Sequence, residues 1–308
     1  MTIRPIAREE LDAFAALDPA TPDLAETIRA LWADGSGRPG WTLVAEDADA
    51  PLGRAAFFTE PLGCGLDLLE GRVAGLWLAE GVPPAVGSDL LDEVARLASG
   101  VTPFIERRLN PELHRDVPFW RIVLEGAGYS LFHEKEGFAW TDDGGELPEP
   151  HRLMFRSLAE VGRSAYAAAM AVTIPGTLDR NDRFYVETCG PAAWGTEMVG
   201  AAGPSDEPAW LLASEPDGAL AGYVGVGRFD GDVGTISHIG VVPDRRGRGY
   251  VNELLRAANR AARARGYRSM LSDVDTENAP MLAAMERNGH RRGARPWHVW
   301  AYRRAVAG

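Results

Sequence analysis

The chain has 308 residues, which exceeds one ordinary domain and fits two domains of roughly 150 residues each. Its residues are 45% hydrophobic and 25% charged, a globular balance that excludes a disordered chain, a collagen-like chain and a coiled coil. The formal net charge of −12 argues against wrapping duplex DNA or lying on an anionic membrane.

Strand and helix signals alternate through the first half of the chain. Short apolar or alternating runs predict strands, and apolar residues on one face predict helices. In chain order the sequence predicts a strand at Thr2–Ile6, helices at Glu9–Leu17 and Pro22–Ala33, paired strands at Trp41–Ala45 and Arg54–Thr59, a strand at Val73–Leu78, a helix at Ser88–Ala98, a strand at Phe104–Arg108, a helix at Phe119–Glu125 and a strand at Leu131–Trp140.

The second half repeats this alternation after a polar segment rich in Gly and Pro. That segment, residues 141–151, predicts a linker. The sequence then predicts a strand at Arg152–Ser157, helices at Leu158–Ala171 and Asp182–Cys189, a hairpin of Trp210–Ser214 and Ala219–Arg228, a strand at Gly234–Val242, an amphipathic helix at Val251–Arg265, a strand at Arg268–Val274, a helix at Ala279–Arg287 and a strand at Trp297–Arg303.

The order of elements indicates a tandem duplication of one α+β unit. Gly87 and Gly249 precede equivalent helices and lie 162 residues apart, while Gly128 and Gly289 end equivalent helices and lie 161 residues apart. We therefore expect one domain at residues 1–140, a linker at 141–151 and a second domain at 152–308.

Charge and cysteine usage add two expectations. Residues 1–150 have a net charge of −15 and residues 151–308 a net charge of +3, with the basic residues concentrated between Arg245 and Arg295. This basic run predicts either a solvated helix face or a local site for an anionic ligand. Two cysteines, Cys64 and Cys189, are too few for a disulfide framework or a Cys-rich zinc site. With no signal-peptide core at the start, we expect a cytoplasmic protein.

One segment, residues 234–255, has the features of an anion site. It consists of a strand, a Pro turn, a loop rich in Arg and Gly, and a helix start. Amides at a helix N-terminus are unpaired, and the helix dipole favours an anion there. Gly247 and Gly249 allow close backbone approach, and Arg245, Arg246 and Arg248 supply forked donors. The loop predicts a pyrophosphate-like ligand, but it lacks the Lys-Ser/Thr of a Walker loop and the third glycine of a dinucleotide fingerprint.

The run Val242-Pro-Asp-Arg-Arg-Gly-Arg-Gly-Tyr-Val251 resembles the acetyl-CoA loop of the GNAT N-acetyltransferase superfamily. Val251 departs from the usual small residue. Downstream, residues 270–278 resemble the family's fifth strand with its Asn, and residues 281–289 resemble the following helix with its closing Gly. The resemblance implies two tandem GNAT-like domains, each a mixed, mostly antiparallel twisted sheet flanked by helices, with acetyl-CoA as acyl donor.

The resemblance also implies which residues bind that donor. The amides of Gly247 to Val251 would hold the pyrophosphate, backbone groups of Ile239 to Val241 would pair with the pantetheine, and Asn278 would hydrogen-bond to it. A plain helix cap is the alternative role for Asn278. The expected donor-binding set is Ile239, Gly240, Val241, Arg246, Gly247, Arg248, Gly249, Tyr250, Val251 and Asn278.

The catalytic residues are less defined by the sequence. The family's usual proton-donating Tyr is replaced by Met285, which leaves Tyr302 and Tyr250 as substitutes. A histidine ordinarily titrates near neutral pH, and His238 stands on a strand that often contains a bulge in this family, so we expect it to be either a base or a packed strand residue. Asp273 lies near the expected splay of two strands, as an amine ligand, a base or a salt-bridge partner of an arginine. We expect no metal site, since no His or Cys spacing supports one.

These observations predict an acetyl-CoA-dependent N-acetyltransferase that moves acetyl directly to a primary amine of a small molecule in a ternary complex. The alternative is a non-catalytic acyl-CoA-binding or regulatory protein, favoured by the missing Tyr. The first half has only Glu80–Ser88 in place of the loop, with two prolines and no arginine, so we expect no donor there. We expect no nucleic acid or membrane partner, and a monomer that acts as its own pseudo-dimer.

Overall fold

The computed structural model describes residues 1–48, 50–61, 69–102, 104–109, 116–293 and 296–303. The strands in these ranges are β1 (Thr2–Pro5), β2 (Gly37–Asp47), β3 (Ala50–Pro61), β4 (Leu69–Leu78), β5 (Phe104–Leu109), β6 (Ser130–Thr141), β7 (Met154–Ser157), β8 (Trp210–Ser214), β9 (Leu220–Asp230), β10 (Val233–Val241), β11 (Ser269–Asp275), β12 (Arg291–Arg292) and β13 (Trp297–Arg303). The helices are α1 (Leu11–Ala16), α2 (Leu24–Asp34), α3 (Pro84–Ala98), α4 (Val117–Gly126), α5 (Leu158–Val161), α6 (Arg163–Thr173), α7 (Arg180–Cys189), α8 (Pro191–Gly200), α9 (Tyr250–Ala264) and α10 (Ala279–Arg287).

The chain divides into two compact units. The first contains the described residues up to 132 together with 298–303, and the second contains residues 133–297. The expected division into 1–140 and 152–308 follows chain order, whereas the units exchange strands. Most of β6 pairs with β11 in the second unit, and β13 pairs with β5 in the first. Such long-range pairings leave no local trace in the sequence.

The sheet of the first unit runs in the order β1-β2-β3-β4-β5-β13. Among the strands described there, β4 and β5 are the pair that runs in parallel, over two residue pairs, with α3 as the crossover between them. An extra residue in β4 shifts its register against β3 near Gly75, whose φ of +58° requires glycine. The core of this unit packs Leu90, Leu91 and Val94 of α3, all fully buried, against the sheet.

The sheet of the second unit runs in the order β6-β11-β10-β9-β8-β7, with β12 also on β6. Here β10 and β11 are the parallel pair, and α9 is the crossover. Leu254, Ala258 and Ala262 form the apolar stripe of α9 and are completely buried against this sheet. The same arrangement as in the first unit confirms the predicted internal repeat and a mixed, mostly antiparallel sheet flanked by helices.

Two features of β10 determine where a site can form. Its parallel pairing with β11 ends after Gly234 and Met270, so the two strands diverge beyond that point. A bulge between Ile236 and His238 gives β10 one residue more than β9. The expected splay and bulge are both present, and together they open a cavity between β10 and β11.

Most predicted elements are present within a few residues of their expected bounds. The predicted helix 158–171 is divided at Gly162, whose φ of +81° cannot continue a helix, into α5 and α6. The sequence prediction missed α8, which begins directly after Gly190, also at φ +81°. Cys64 and Arg295 lie outside the described residues.

Candidate functional site

The loop before α9 adopts the geometry expected of an anion site. Gly247 and Gly249 have φ of +77° and +81°, and Gly249 is the N-cap of α9. A Cβ added at Gly247 would meet nothing within 4 Å, and one at Gly249 would meet only side-chain nitrogens at 3.7 Å. Glycine is therefore required by the left-handed backbone, and the space above the helix N-terminus is open.

A cavity of about 390 Å³, here called the loop cavity, extends from this turn along β10. It is lined by residues of α6, the segment before α7, β9, β10, the loop and the start of α10. The lining residues used below are Thr173, Thr177, Asp182, Tyr223, Ile239, Gly240, Val241, Gly247, Gly249, Asn278 and Met281.

The edge of β10 in the loop cavity offers free backbone groups. The Val242 amide donates to the Ala221 carbonyl, so strand alternation directs the backbone groups of Ile239 and Val241 away from β9. Gly240 instead pairs with β9, and a Cβ there would lie 2.7 Å from Thr173 Cγ2. An extended ligand can thus pair with β10 at Ile239 and Val241, while glycine at 240 keeps the cavity open.

The three loop arginines have different environments. Arg246 donates Nε to the Val241 carbonyl, Nη1 to that of Gly176 and Nη2 to that of Thr173, at 2.8–3.1 Å. Arg245 pairs with Glu215 at 3.0 Å, whereas Arg248 is 3.5 Å from Glu215 with its side chain 55% exposed. Arg246 therefore shapes the loop cavity through protein carbonyls, and Arg248 has a longer ion pair than Arg245 and a more exposed side chain.

The basic face of α9 has a structural role. Arg256 pairs with Glu253 on the same helix, Arg260 pairs with Glu149, and Arg263 donates to the Asp142 carboxylate and to the Gly145 carbonyl. These contacts attach the predicted linker to α9. Of the two interpretations of the basic run, the helix face describes α9 and the anion site describes only the preceding loop.

A second cavity of about 270 Å³, here called the polar cavity, lies where β10 and β11 diverge. Its wall is rich in hydroxyl, amide and carboxyl groups, and it shares five residues with the loop cavity. The shared residues are Thr177, Asp182, Ile239, Asn278 and Met281. The two cavities are therefore adjoining parts of one site.

Lys135, the only lysine of the chain, lies in the wall of the polar cavity. Its Nζ is 2.9 Å from Asp273 Oδ1 and 3.1 Å from Asp179 Oδ2. Burial alone would lower the pKa of Lys135, but the carboxylates of Asp273 and Asp179 outweigh it and hold this pKa above its ordinary value. Asp273 is thus already paired with an ammonium group.

Two further side chains of the polar cavity have shifted pKa values: that of Asp182 is raised and that of His238 is lowered. Burial, reinforced by the Asp179 carboxylate, raises the pKa of Asp182 to about 7. Burial lowers the pKa of His238 to about 4, and its ring lies edge-on to Trp194 and Trp210, with centroids 5.9 and 6.3 Å away. At neutral pH His238 is uncharged and weakly basic, whereas Asp182 can gain or lose a proton.

Asn278 and Asp275 hold the rim of the site. The Asn278 side chain accepts from the Met281 amide at 3.3 Å as the N-cap of α10, while the residue also lines both cavities. Buried Asp275 accepts from the Arg180 amide at 3.2 Å and the Glu277 amide at 3.0 Å. Asp275 therefore fixes the start of α7, and with it the position of Asp182.

The sequence left three positions to examine for a proton donor: Met285, which replaces the usual Tyr, and the two tyrosines Tyr250 and Tyr302. Met285 is 2% exposed and lines the polar cavity. The Tyr250 hydroxyl donates to Glu215, and its ring packs in the core of the second unit. Tyr302 is in the first unit, where its ring lies 5.7 Å from that of Tyr129, and it lines neither cavity. We therefore leave Tyr302 out of the site.

Two negative findings apply to the part of the chain that the structure describes. No group of three His, Cys, Asp or Glu side chains there is arranged to hold a metal ion. No helix in the same residues is long and apolar enough to cross a membrane.

Sequence reasoning missed three residues of the polar cavity, namely Lys135, Asp179 and Asp182. One signal was available: Asp179 and Asp182 are spaced as an N-cap and the third residue of a helix, and Asp179 does accept from the amides of Asn181 and Asp182. Lys135 had no local signal, because β6 reaches β11 only through long-range pairing.

Part of the second unit is similar to proteins of a known family. Residues 178–290 match the model of the acetyltransferase (GNAT) family. Over 81 residues the chain is 33% identical to an acetyltransferase of Yersinia enterocolitica and 32% identical to one of Yersinia pestis. Each match covers 26% of this chain and 57% of the relative, so the chain spans little more than half the length of these relatives.

Two solved structures share the fold over the whole chain. A GCN5-related N-acetyltransferase from Sphaerobacter thermophilus has a TM-score of 0.64 at 18% identity, covering 99% of this chain and 96% of that one. A tandem GNAT protein from the clavulanic acid biosynthesis pathway has a TM-score of 0.53 at 16% identity, covering 100% and 99%. Residues 178–290 therefore resemble the GNAT family of acetyltransferases, and the chain shares its fold with these two structures.

Proposed function

We propose that the protein is an N-acetyltransferase that uses acetyl-CoA and transfers the acetyl group directly to a primary amine of a small molecule in a ternary complex. The observation that supports this most is that the loop cavity and the polar cavity adjoin. A donor and an acceptor held in one cavity each would meet at the shared residues Asp182, Ile239 and Asn278. Direct transfer needs this proximity and no covalent intermediate on the protein.

The residues of the loop cavity fit the donor. Open space over Gly247 and Gly249 and the amides at the start of α9 suit a pyrophosphate, with exposed Arg248 beside them. The backbone groups of Ile239 and the amide of Val241 face away from β9 and suit the amide groups of a pantetheine arm, whereas the Val241 carbonyl already accepts from Arg246. When bound, acetyl-CoA supplies an acyl carbon activated as a thioester.

The polar cavity suits a small hydrophilic amine. Its hydroxyl and amide groups can hydrogen-bond to polar substituents of an acceptor, and its carboxylates outnumber the single ammonium of Lys135. A cationic amine would therefore be attracted, whereas a carboxylate-bearing acceptor would be repelled. The volume of about 270 Å³ fits a small molecule.

Donor binding is proposed for the second unit alone. In the first unit, α3 is preceded by Pro83 as N-cap and begins with Pro84, so two positions lack an amide proton. The segment Glu80–Ser88 also has no arginine. We expect one donor site per chain.

Calorimetric titration of acetyl-CoA into the full chain tests the donor site. Gly249→Glu places a carboxylate at the N-terminus of α9 and should abolish binding. Gly266→Glu is the matched control, because Gly266 has a φ of +77° and open space around its Cβ but lies at the other end of α9. One site that survives Gly266→Glu and is lost in Gly249→Glu supports the proposal, and two sites would show that the first unit also binds.

Release of free CoA thiol with a panel of amines tests the reaction. The panel is ethanolamine, spermidine, glucosamine and a lysine-containing tetrapeptide, with glutamate as an acidic amine. Acetylated product from at least one hydrophilic amine, identified by mass, supports the proposal. Tight donor binding without turnover of any amine would instead identify a non-catalytic acyl-CoA-binding protein.

A further inference from the structure

We propose that Asp182 is the proton acceptor of acetyl transfer and that Lys135 is a positioning residue that sets the pH at which Asp182 works. The inference rests on the proposed function and names the residues of the same site that would perform the proton transfer. Its basis is geometric: Asp182 lines both cavities, so it lies where an amine in one would approach a thioester in the other.

The other titratable groups of the polar cavity are less suited to the task. Asp273 is bound to the Lys135 ammonium, and so is Asp179, which is also used as the cap of α7. Burial lowers the pKa of His238 to about 4, so its ring is neutral at any pH well above 4. Asp182 has no ion-pair partner among the described residues, and its pKa of about 7 matches proton transfer near neutral pH.

Three charged groups act on the pKa of Asp182: Asp179 beside the start of α7, Lys135 on β6 and Asp273 on β11. The Tyr223 hydroxyl on β9 also interacts with Asp182, and His238 on β10 and Asp275 on β11 line the same polar cavity. The two carboxylates oppose ionisation of Asp182, and the lysine favours it. Burial raises the pKa of Tyr223 well above its ordinary value, so its hydroxyl stays neutral. Lys135 is thus the group in this set that keeps Asp182 ionisable.

The proton balance of the step is simple. The acceptor enters as an ammonium ion, and the Asp182 carboxylate takes one of its protons. The freed amine forms the C–N bond as the C–S bond of the thioester breaks, and the second amine proton ends on the departing thiolate. The products are the acetamide, neutral CoA thiol and protonated Asp182, which returns its proton to water.

Lys135 comes from the last strand of the first repeat, which gives that repeat a role in the polar cavity. Lys135 belongs to β6, the strand that follows α4 of the repeat without a donor loop, and it reaches the polar cavity because β6 pairs with β11. In the register, Lys135 lies opposite Asp275, two residues from Asp273. A strand from the first repeat therefore contributes a residue to the site of the second.

The test is the pH profile of kcat/KM between pH 5 and 9 for the fastest amine of the panel. The wild type should lose activity below about pH 7. Asp182→Asn should lower kcat/KM by roughly 10² to 10⁴ and remove this acid limb. Lys135→Met should move this loss of activity to higher pH, because the carboxylates of Asp179 and Asp273 then face Asp182 without a neutralising ammonium. Lys135→Arg should return the loss of activity to the wild-type pH.

Controls separate the possible failures. Glu187→Gln, an exposed carboxyl on the same helix, should keep the wild-type profile, and acetyl-CoA titration checks that each variant still binds donor. If Asp182→Asn kept the wild-type kcat/KM and still lost activity below about pH 7, Asp182 would not be the proton acceptor, while the proposed function would stand. An unmoved limb in Lys135→Met would overturn the role of Lys135, and no turnover of any amine by the wild type would overturn both proposals.

Discussion

Asp182→Asn should stabilise the folded protein in a pH-dependent way, independently of any catalysis. An unfolded Asp has a pKa near 3.9, and burial raises the pKa of Asp182 to about 7 in the folded state. A raised pKa means that the folded state favours the neutral, protonated form of the carboxyl group. Its stabilising contribution is complete below the unfolded pKa and is lost as the pH rises through the folded pKa. At pH 8 the wild type must hold an unfavourable carboxylate, and the Asn variant does not.

The magnitude follows from the size of the shift. About three pH units at ~1.36 kcal/mol each give an upper bound of about 4 kcal/mol for the gain at pH 8. The gain should fall to about 1.5 kcal/mol near pH 5 and become negligible near pH 3. Nearby solvent reduces these values, but the trend with pH keeps its sign.

Urea unfolding of wild type and variant at pH 5, 6, 7 and 8 measures this gain. The slope of the free energy of unfolding against urea concentration should be the same in wild type and variant, and only the urea concentration at the unfolding midpoint should differ. Glu187→Gln should show no comparable trend, since its carboxyl is exposed. A gain that is equal at all four pH values, or a loss of stability at pH 8, would refute the description of the Asp182 environment.

Three further changes have defined outcomes. Leu254→Ala removes a completely buried side chain from the core of the second unit and should lower the free energy of unfolding by about 3 kcal/mol, measured by urea unfolding; a loss below 1 kcal/mol would contradict the packing of α9. Gly249→Ala should weaken acetyl-CoA binding in calorimetry and cost about 1 kcal/mol of stability, because φ of +81° is strained for alanine; full affinity would show that this turn is not the donor site. Arg54→Met should cost about 3 kcal/mol, since fully buried Arg54 donates to the Phe14 and Ala15 carbonyls and these would lose their partner; thermal unfolding at wild-type temperature would exclude such a role.

Much of the site was predictable because its determinants are local. The glycines at 247 and 249 require a left-handed backbone that few other residues adopt, and the apolar stripe of α9 follows directly from helix periodicity. For Asn278 a helix cap was the alternative to a pantetheine contact, and the structure has this residue as the N-cap of α10. The family match at residues 178–290 agrees with the resemblance seen in these motifs.

Other parts depend on contacts between residues far apart in the chain. Arg246 was expected at a phosphate, and the structure directs three of its N–H groups to carbonyls of β10, of the last residue of α6 and of the segment after α6. Tyr302 was considered as a substitute proton donor, but the pairing of β13 with β5 places it in the first unit. Neither outcome has a signature in the neighbouring sequence, because side-chain direction and strand partner are set by the assembled sheet.

By itself the sequence determined the two-fold repeat, the parallel crossover with its helix, and the left-handed glycine turn at the start of α9, since turn glycines and hydrophobic periodicity act over a few residues. Only the tertiary structure decided which side chains share the polar cavity. Lys135, Asp182 and Asp273 come from β6, α7 and β11, and they meet because the register of β6 on β11 and the divergence of β10 fix their positions. The titration of Asp182 likewise arises from this meeting, because burial and neighbouring charge, not residue type, determine its pKa.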